Sequence, residues 1–155
     1  MNNVWNADRA NTIIGQFRTV RGGLLPALHA LQHHFGYVDD AAIPLLADAF
    51  NQTGADIYGV LTYYHDFKRA RPGRHTIKVC RAEACQSMGS EQLLDDIKKR
   101  LNVDVGGKTL DGEFSLEQVF CLGNCALPPS IMMDETLHGR ITIDQVESLC
   151  RKVRS

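Results

Sequence analysis

His75-Thr76-Ile77-Lys78-Val79-Cys80-Arg81-Ala82-Glu83-Ala84-Cys85 is the stretch on which the reading of this chain turns. Its first half, β-branched and apolar around one lysine, reads as a strand ending on Cys80. The residues after Cys80 are small or polar, as in a loop. The pattern returns at Gln118-Val119-Phe120-Cys121, which opens into Leu122-Gly123-Asn124-Cys125. Cys80, Cys85, Cys121 and Cys125 therefore fall as C-x4-C, thirty-five residues, then C-x3-C. Strand-to-loop placement of both pairs predicts thiolates presented together at one edge of a sheet.

Soft thiolate ligands select iron-sulfur clusters, zinc or Cu(I) over hard cations. A [2Fe-2S] cluster needs two thiolates per iron, and two cysteine pairs meet that count. Structural zinc competes, although its cysteine pairs are often only two residues apart, on tight knuckles. An unligated or redox-active thiol set is the third reading, without a C-x-x-C pair to support it. Spacing alone leaves all three open. Gly89, Gly123, Asn124 and Ala126 are candidates to bring backbone N–H groups to the sulfurs, and Lys78 and Arg81 are either positive charges near the first pair or ordinary exposed basic residues beside a strand. The fifth cysteine, Cys150, shares a helical stripe with Val146, Leu149 and Val153 and is read as a buried packing thiol. His29 and His33 lie one turn apart without partner ligands, as expected of a solvated or partner-facing helix surface.

The chain has 155 residues, enough for a packed core without covalent staples. Its 17 Lys and Arg against 18 Asp and Glu leave a charge of −1, so no global field draws nucleic acid or an anionic membrane. Met1-Asn2-Asn3-Val4-Trp5-Asn6 lacks a basic stretch followed by an apolar core, and no run approaches the ~20 apolar residues of a membrane span. A cytoplasmic protein without membrane insertion is expected. In that reducing compartment, an odd cysteine count favours ligands plus one buried thiol over disulfides.

The organisation changes partway along the chain. Up to about Phe67 the pattern is helical, predicting a first helix over roughly 7–20 and a second over about 23–35, where Leu24, Leu28, Leu31 and Phe35 recur and Gly36 supplies the stop. Asp39 or Asp40 is expected to cap the next helix, and Thr53-Gly54-Ala55-Asp56 reads as a capping box for a fourth. The basic stretch 68–74 marks a boundary and a candidate docking surface, dividing the chain into residues 1–70 and 71–155. Beyond it come a strand over 75–80, a helix capped by Ser90, strands over 114–120 and 130–133, a hairpin return over 137–140, and a last helix capped at Thr142. That order implies a small α/β layer with helices against a mixed sheet.

With both motifs in view, Cys80-Arg81-Ala82-Glu83-Ala84-Cys85 and Cys121-Leu122-Gly123-Asn124-Cys125-Ala126-Leu127-Pro128-Pro129 resemble the thioredoxin-like [2Fe-2S] ferredoxin family, which includes the small iron-sulfur subunit of NADH:quinone oxidoreductase. Leu25-Pro26-Ala27-Leu28-His29-Ala30-Leu31-Gln32 and Tyr58-Gly59-Val60-Leu61-Thr62-Tyr63-Tyr64 are similar to the helical segment preceding the ferredoxin unit in those subunits. Within the family, Arg81 to Ser87 and Leu137-His138-Gly139-Arg140 look most like the gamma subunit of soluble NAD-dependent formate dehydrogenase, while Tyr63 departs from the phenylalanine usual in the respiratory subunits. The resemblance implies an α/β protein: a helical N-terminal bundle, then a thioredoxin-like ferredoxin domain with a small mixed sheet flanked by helices. It implies one [2Fe-2S] cluster on Cys80, Cys85, Cys121 and Cys125, and a non-catalytic electron-transfer role. It further implies a flavin/NAD-binding iron-sulfur partner subunit and a molybdenum-containing catalytic subunit, with FMN, NAD and molybdenum cofactor on those partners only. The absence of G-x-G-x-x-G and P-loop patterns accords with an electron carrier that lacks substrate chemistry of its own.

Overall fold

The computed structural model describes residues 4–154; the first three residues of the N-terminal stretch and Ser155 lie outside them. Two compact units divide between Arg71 and Pro72.

The first unit packs α1 (Ala7–Gly15), α2 (Leu24–Phe35), α3 (Ala42–Phe50) and α4 (Gly54–Tyr63) around Ile14, Leu28, Leu31, Leu46, Ile57 and Leu61. α1 is shorter than its periodicity predicts. After Gly15, a poor helix former, the bonds Phe17 N–H to Ile14 O and Val20 N–H to Phe17 O close tight single turns instead. α2 ends where expected, with Gly36 in the left-handed conformation at φ +83°. α3 is not capped by an aspartate side chain. Asp39 Oδ1 instead accepts from Ala41 N–H at 2.9 Å, shaping the turn before the helix, while Asp40 is held by Arg69. The Thr53–Asp56 capping box at α4 forms in full.

The basic stretch 68–71 is tied back onto this unit. Lys68 N–H donates to Gln32 Oε1 at 2.7 Å, Lys68 C=O accepts from Val38 N–H at 2.7 Å, and Arg69 pairs with Asp40 while stacking over Tyr58. Of its charges, that of Arg69 is offset within this unit by Asp40.

The second unit carries a four-stranded sheet of order β2-β1-β3-β4, built from β1 (His75–Cys80), β2 (Phe114–Val119), β3 (Ser130–Met133) and β4 (Thr136–Gly139). β1 and β2 are parallel, and β3 runs antiparallel to both β1 and β4, so the sheet is mixed as expected. The parallel pair demands a crossover, supplied by α5 (Glu83–Ser87) and α6 (Ser90–Leu101). Ile77 sits beside Leu116 and Met133 in register, and Val79 beside Ile131, giving one apolar face. Leu93, Leu94 and Ile97 of α6 and Val146 and Cys150 of α7 (Ile143–Arg154) share the core with it. Cys150 is 6% exposed and burial pushes its thiol up, in keeping with a packing role.

Four local expectations change here. Residues 83–87 are helical and not loop, because Ala82-Glu83-Ala84-Cys85-Gln86 is made largely of good helix formers. Ser90 does not cap α6: Gly89, at φ +84°, turns the chain into the helix and Ser90 becomes its buried first residue. The hairpin return begins at Thr136, opposite Met133, with Asp134 taking the positive φ of the tight turn, and β2 stops at Val119, leaving Phe120 exposed. Thr142 does cap α7, exchanging backbone and side-chain bonds with Gln145.

Candidate metal centre

Because β1 and β2 are parallel, their carboxyl ends meet at one edge of the sheet, where open α/β sheets bind ligands. Cys80 is the last residue of β1 and pairs with Val119, so Cys121 follows two residues beyond at the same edge. Arg81 N–H donates to Val119 C=O at 2.7 Å, continuing the ladder one step past Cys80. β3 enters this edge from the opposite direction: Val79 pairs with Ile131, placing Ser130 level with Cys80. α5 then brings Cys85 back over the strand end, near Cys80 and Ser130.

Cys85 therefore sits in a crowded, dry setting. Burial pushes its thiol up first, and the neighbouring Cys80 adds to this, while hydrogen bonds from Ser130 oppose it. Cys125 is raised as well, chiefly by the charge of Cys121 and a hydrogen bond with it, with a further contribution from Cys80. Cys85 thus lies within electrostatic reach of Cys80, and Cys125 within reach of Cys121 and Cys80. Like charges so close disfavour joint ionisation unless a cation offsets them. Gly123 N–H donates to Cys121 Sγ at 3.2 Å, so one of the backbone donors expected near sulfur is in place. Cys121 adopts φ +151°, a conformation sparsely used by residues with a Cβ and concentrated at functional sites.

The two pairs differ in environment. Cys80 and Cys85 are 3% and 2% exposed, whereas Cys121 and Cys125 are open to solvent beside Phe120, which is 72% exposed. Among the described residues, no three or more His, Cys, Asp or Glu side chains converge as a site for a single metal ion. Two irons with two thiolates each match pairs of this kind, and the Gly123 donor suits their sulfur-rich charge. The donor set fits a [2Fe-2S] cluster. Of the two basic residues expected nearby, Arg81 is engaged by Gln118 and Glu91. Lys78 lies within β1, beside Glu117 in register.

Residues that spacing could not nominate hold the second loop. Asn124 Nδ2 donates to Ser130 Oγ at 3.1 Å, and Ser130 Oγ donates to Leu127 C=O at 3.0 Å. Gly139 admits the loop: a Cβ there would lie 2.5 Å from Asn124 Nδ2 and 2.7 Å from Leu127 Cβ. The glycine of Leu137-His138-Gly139-Arg140 was the available signal, without a role attached.

Comparison with known proteins agrees with this geometry. Residues 10–154 match the family described as thioredoxin-like [2Fe-2S] ferredoxin. An NADH-quinone oxidoreductase subunit of Pseudomonas aeruginosa is 37% identical over 129 residues, covering 83% of this chain and 78% of the relative. The HndA subunit of an NADP-reducing hydrogenase from Solidesulfovibrio fructosivorans is 34% identical over 128 residues, covering 83% and 75%. A crystal structure of an NAD+-reducing [NiFe]-hydrogenase in the H2-reduced state shares the fold, with a TM-score of 0.70 at 22% identity. That match covers 85% of this chain and 22% of the hydrogenase chain. No helix among the described residues is long and apolar enough to cross a membrane. Fold, paired thiols and family match converge: this chain belongs to the thioredoxin-like [2Fe-2S] ferredoxin family and is an electron-transfer protein with one [2Fe-2S] cluster.

Proposed function

We propose that Cys80, Cys85, Cys121 and Cys125 hold the cluster, and that the chain is the electron-transfer subunit of a soluble, cytoplasmic NAD-dependent formate dehydrogenase. In this reading residues 1–70 form the helical domain and 71–155 the ferredoxin domain. The partners are a flavin- and NAD-binding iron-sulfur subunit and a molybdenum-containing subunit that oxidises formate. The carrying observation is the asymmetry of the two pairs at one sheet edge, one sealed against the core and the other open beside Phe120. When bound, the cluster supplies one-electron transfer. Cys80 and Cys85 anchor it and exclude water, while Cys121 and Cys125 present its other side to a partner. The formate dehydrogenase assignment rests on the similarity of Arg81 to Ser87 and Leu137 to Arg140 to the gamma subunit.

A second reading places the chain in an NADH-quinone oxidoreductase or a pyridine-nucleotide-reducing hydrogenase, favoured by relatives of those names at 37% and 34% identity. Co-purification of partners with metal analysis separates the readings. Molybdenum in the isolated complex supports formate dehydrogenase, whereas nickel or quinone-reductase subunits support the second. A colourless preparation with stoichiometric zinc and no sulfide rejects the proposed ligands. A cluster that only positions the flavin subunit is a further alternative; it requires that Cys121→Ser weaken assembly while electron flux in whatever assembles stays unchanged.

A further inference from the structure

α6 and α7 do not close completely against each other. Ile97 and Leu101 of α6 and Ile143 and Val146 of α7 floor a cleft of about 180 Å³ between them. Its rim is charged and one-sided: Arg100, Arg151 and Arg154 stand around one lining carboxylate, Glu147, which Arg100 already engages. Arg154 is held from outside the cleft by Asp111, at 2.9 Å, and by stacking over the Phe114 ring. Arg151 is exposed, and among the described residues no hydrogen bond or ion pair engages it. Basic residues in a last helical turn answer the helix dipole and are ordinary. The choice among them here is not. The same two turns carry Lys98, Lys99 and Lys152, yet only arginines line the cleft. The planar fork of arginine matches a carboxylate, whereas lysine offers a point charge.

Size decides what kind of occupant fits. Small-molecule sites generally run to about 300–1,000 Å³, well above this cleft. A cavity of about 150 Å³ accepts one benzene ring, so the floor takes a single large apolar side chain. We propose that the α6–α7 cleft is a docking pocket for an acidic segment of a partner subunit, which inserts one such side chain over Ile97 and Val146 and sets an adjacent carboxylate against Arg151. Charge complementarity selects an acidic segment and rejects a basic one. A buried apolar anchor beside arginine is the arrangement in which a few residues carry most of an interface's binding energy. This inference rests on the reading of the chain as a subunit of a larger complex. The pocket stands apart from the cysteines: Leu101 closes α6 roughly 16 Å along the helix from Ser90, which follows the Cys85 segment.

The test uses the complex isolated on a tagged, cluster-loaded chain, with retention of the co-purified subunits measured across a salt series. Arg151→Glu reverses the rim charge, and Cys150→Met extends a side chain that lines the cleft into its apolar space. Each is expected to weaken partner binding by about tenfold or more, with cluster absorption unchanged. Lys99→Glu makes the same charge change outside the cleft and should keep wild-type retention. Equal losses from Arg151→Glu and Lys99→Glu would reduce the effect to net charge and overturn the proposal, as would wild-type retention in either pocket variant. Should Cys150→Met fail to fold, the contrast between Arg151→Glu and Lys99→Glu decides alone. Benzoate that binds the wild type but not Arg151→Glu, with partner retention unaffected, would overturn the docking role in favour of a small-ligand site. A wild-type chain that purifies without any partner would instead reject the subunit reading, so the two failures are distinguishable.

Discussion

Asn124 and Ser130 meet at 3.1 Å, side-chain amide to hydroxyl, and this bond fastens the loop between Cys121 and Cys125 to the first residue of β3. Ser130 is fully buried, also donates to Leu127 C=O, and lies near the Cys85 thiol, whose pKa it lowers. Ser130→Ala should leave the Asn124 amide without this acceptor, while Leu127 C=O keeps its bond from Arg140 N–H, costing about 1 kcal/mol. Faster release of iron to a chelator, with the far-ultraviolet spectrum unchanged, is the expected signature. Wild-type release kinetics would contradict it.

Gly139 faces Ser130 across the β3–β4 ladder. Close approach to Asn124 and to the Leu127 backbone oxygen, which a Cβ would meet at 2.8 Å, dictates glycine there. Gly139→Ala should push the 124–127 segment outward and lower the cluster content of purified protein. Gly59 gives the contrast: it lies inside α4, and a Cβ added to it would have nothing within 4 Å. Gly59→Ala should stabilise the helical unit by about 0.5–1 kcal/mol, read as a raised unfolding midpoint. Equal behaviour of the two variants would undercut the packing argument.

What sequence revealed and what it concealed divides along the reach of each interaction. Gly36, the Thr53–Asp56 box and the Thr142–Gln145 cap act within a single turn, and each was readable in place. Ser90 misled for a local reason: serine before an acidic residue has the chemistry of a cap, but the left-handed turn at Gly89 had already redirected the chain. Cys85 looked like a loop residue because two closely spaced cysteines draw attention to the ligand and away from the helix formers around it. The contacts of Arg81 with Gln118, 37 residues away, and of Gly139 with Asn124 depend on the register of the sheet, which no local pattern encodes. The four cysteines were therefore legible as a ligand set to propose, while the residues that hold their loops emerged only with the fold.

Gly123 combines a backbone N–H bond to Cys121 Sγ with a φ of +74°. Space is not the constraint, since nothing lies within 4 Å of a Cβ built there. Conformation is: Gly123→Ala must accept a left-handed backbone costing roughly 1–2 kcal/mol, or turn the N–H away from the sulfur. Asparagine tolerates that conformation better. Gly123→Asn should keep the wild-type midpoint potential, whereas Gly123→Ala should lose cluster or show a lower potential through the weakened donor. A lower potential in both variants, or in neither, would break the link between φ and the N–H···S bond.

Cys150 offers a test of a thiol outside the centre. It is 6% exposed among Val146, Ile97 and their neighbours, and burial holds its thiol above the ordinary value of 9.0. Cys150→Val is close to volume-conserving and should retain the full visible absorption, in contrast to serine at any of the four proposed ligands. The pH dependence has a definite sign. Below the ordinary value the thiol is neutral in folded and unfolded chains alike, so the difference in melting temperature between wild type and variant should be constant. As pH rises through 9.0 the unfolded chain ionises first while the folded thiol stays neutral, and the wild type loses stability relative to valine. The loss should continue until the folded thiol itself ionises. Paired thermal melts at about pH 7, 8, 9 and 10 measure it, and a difference that stays flat across that range, or a variant without cluster absorption, would overturn the assignment of Cys150 to packing.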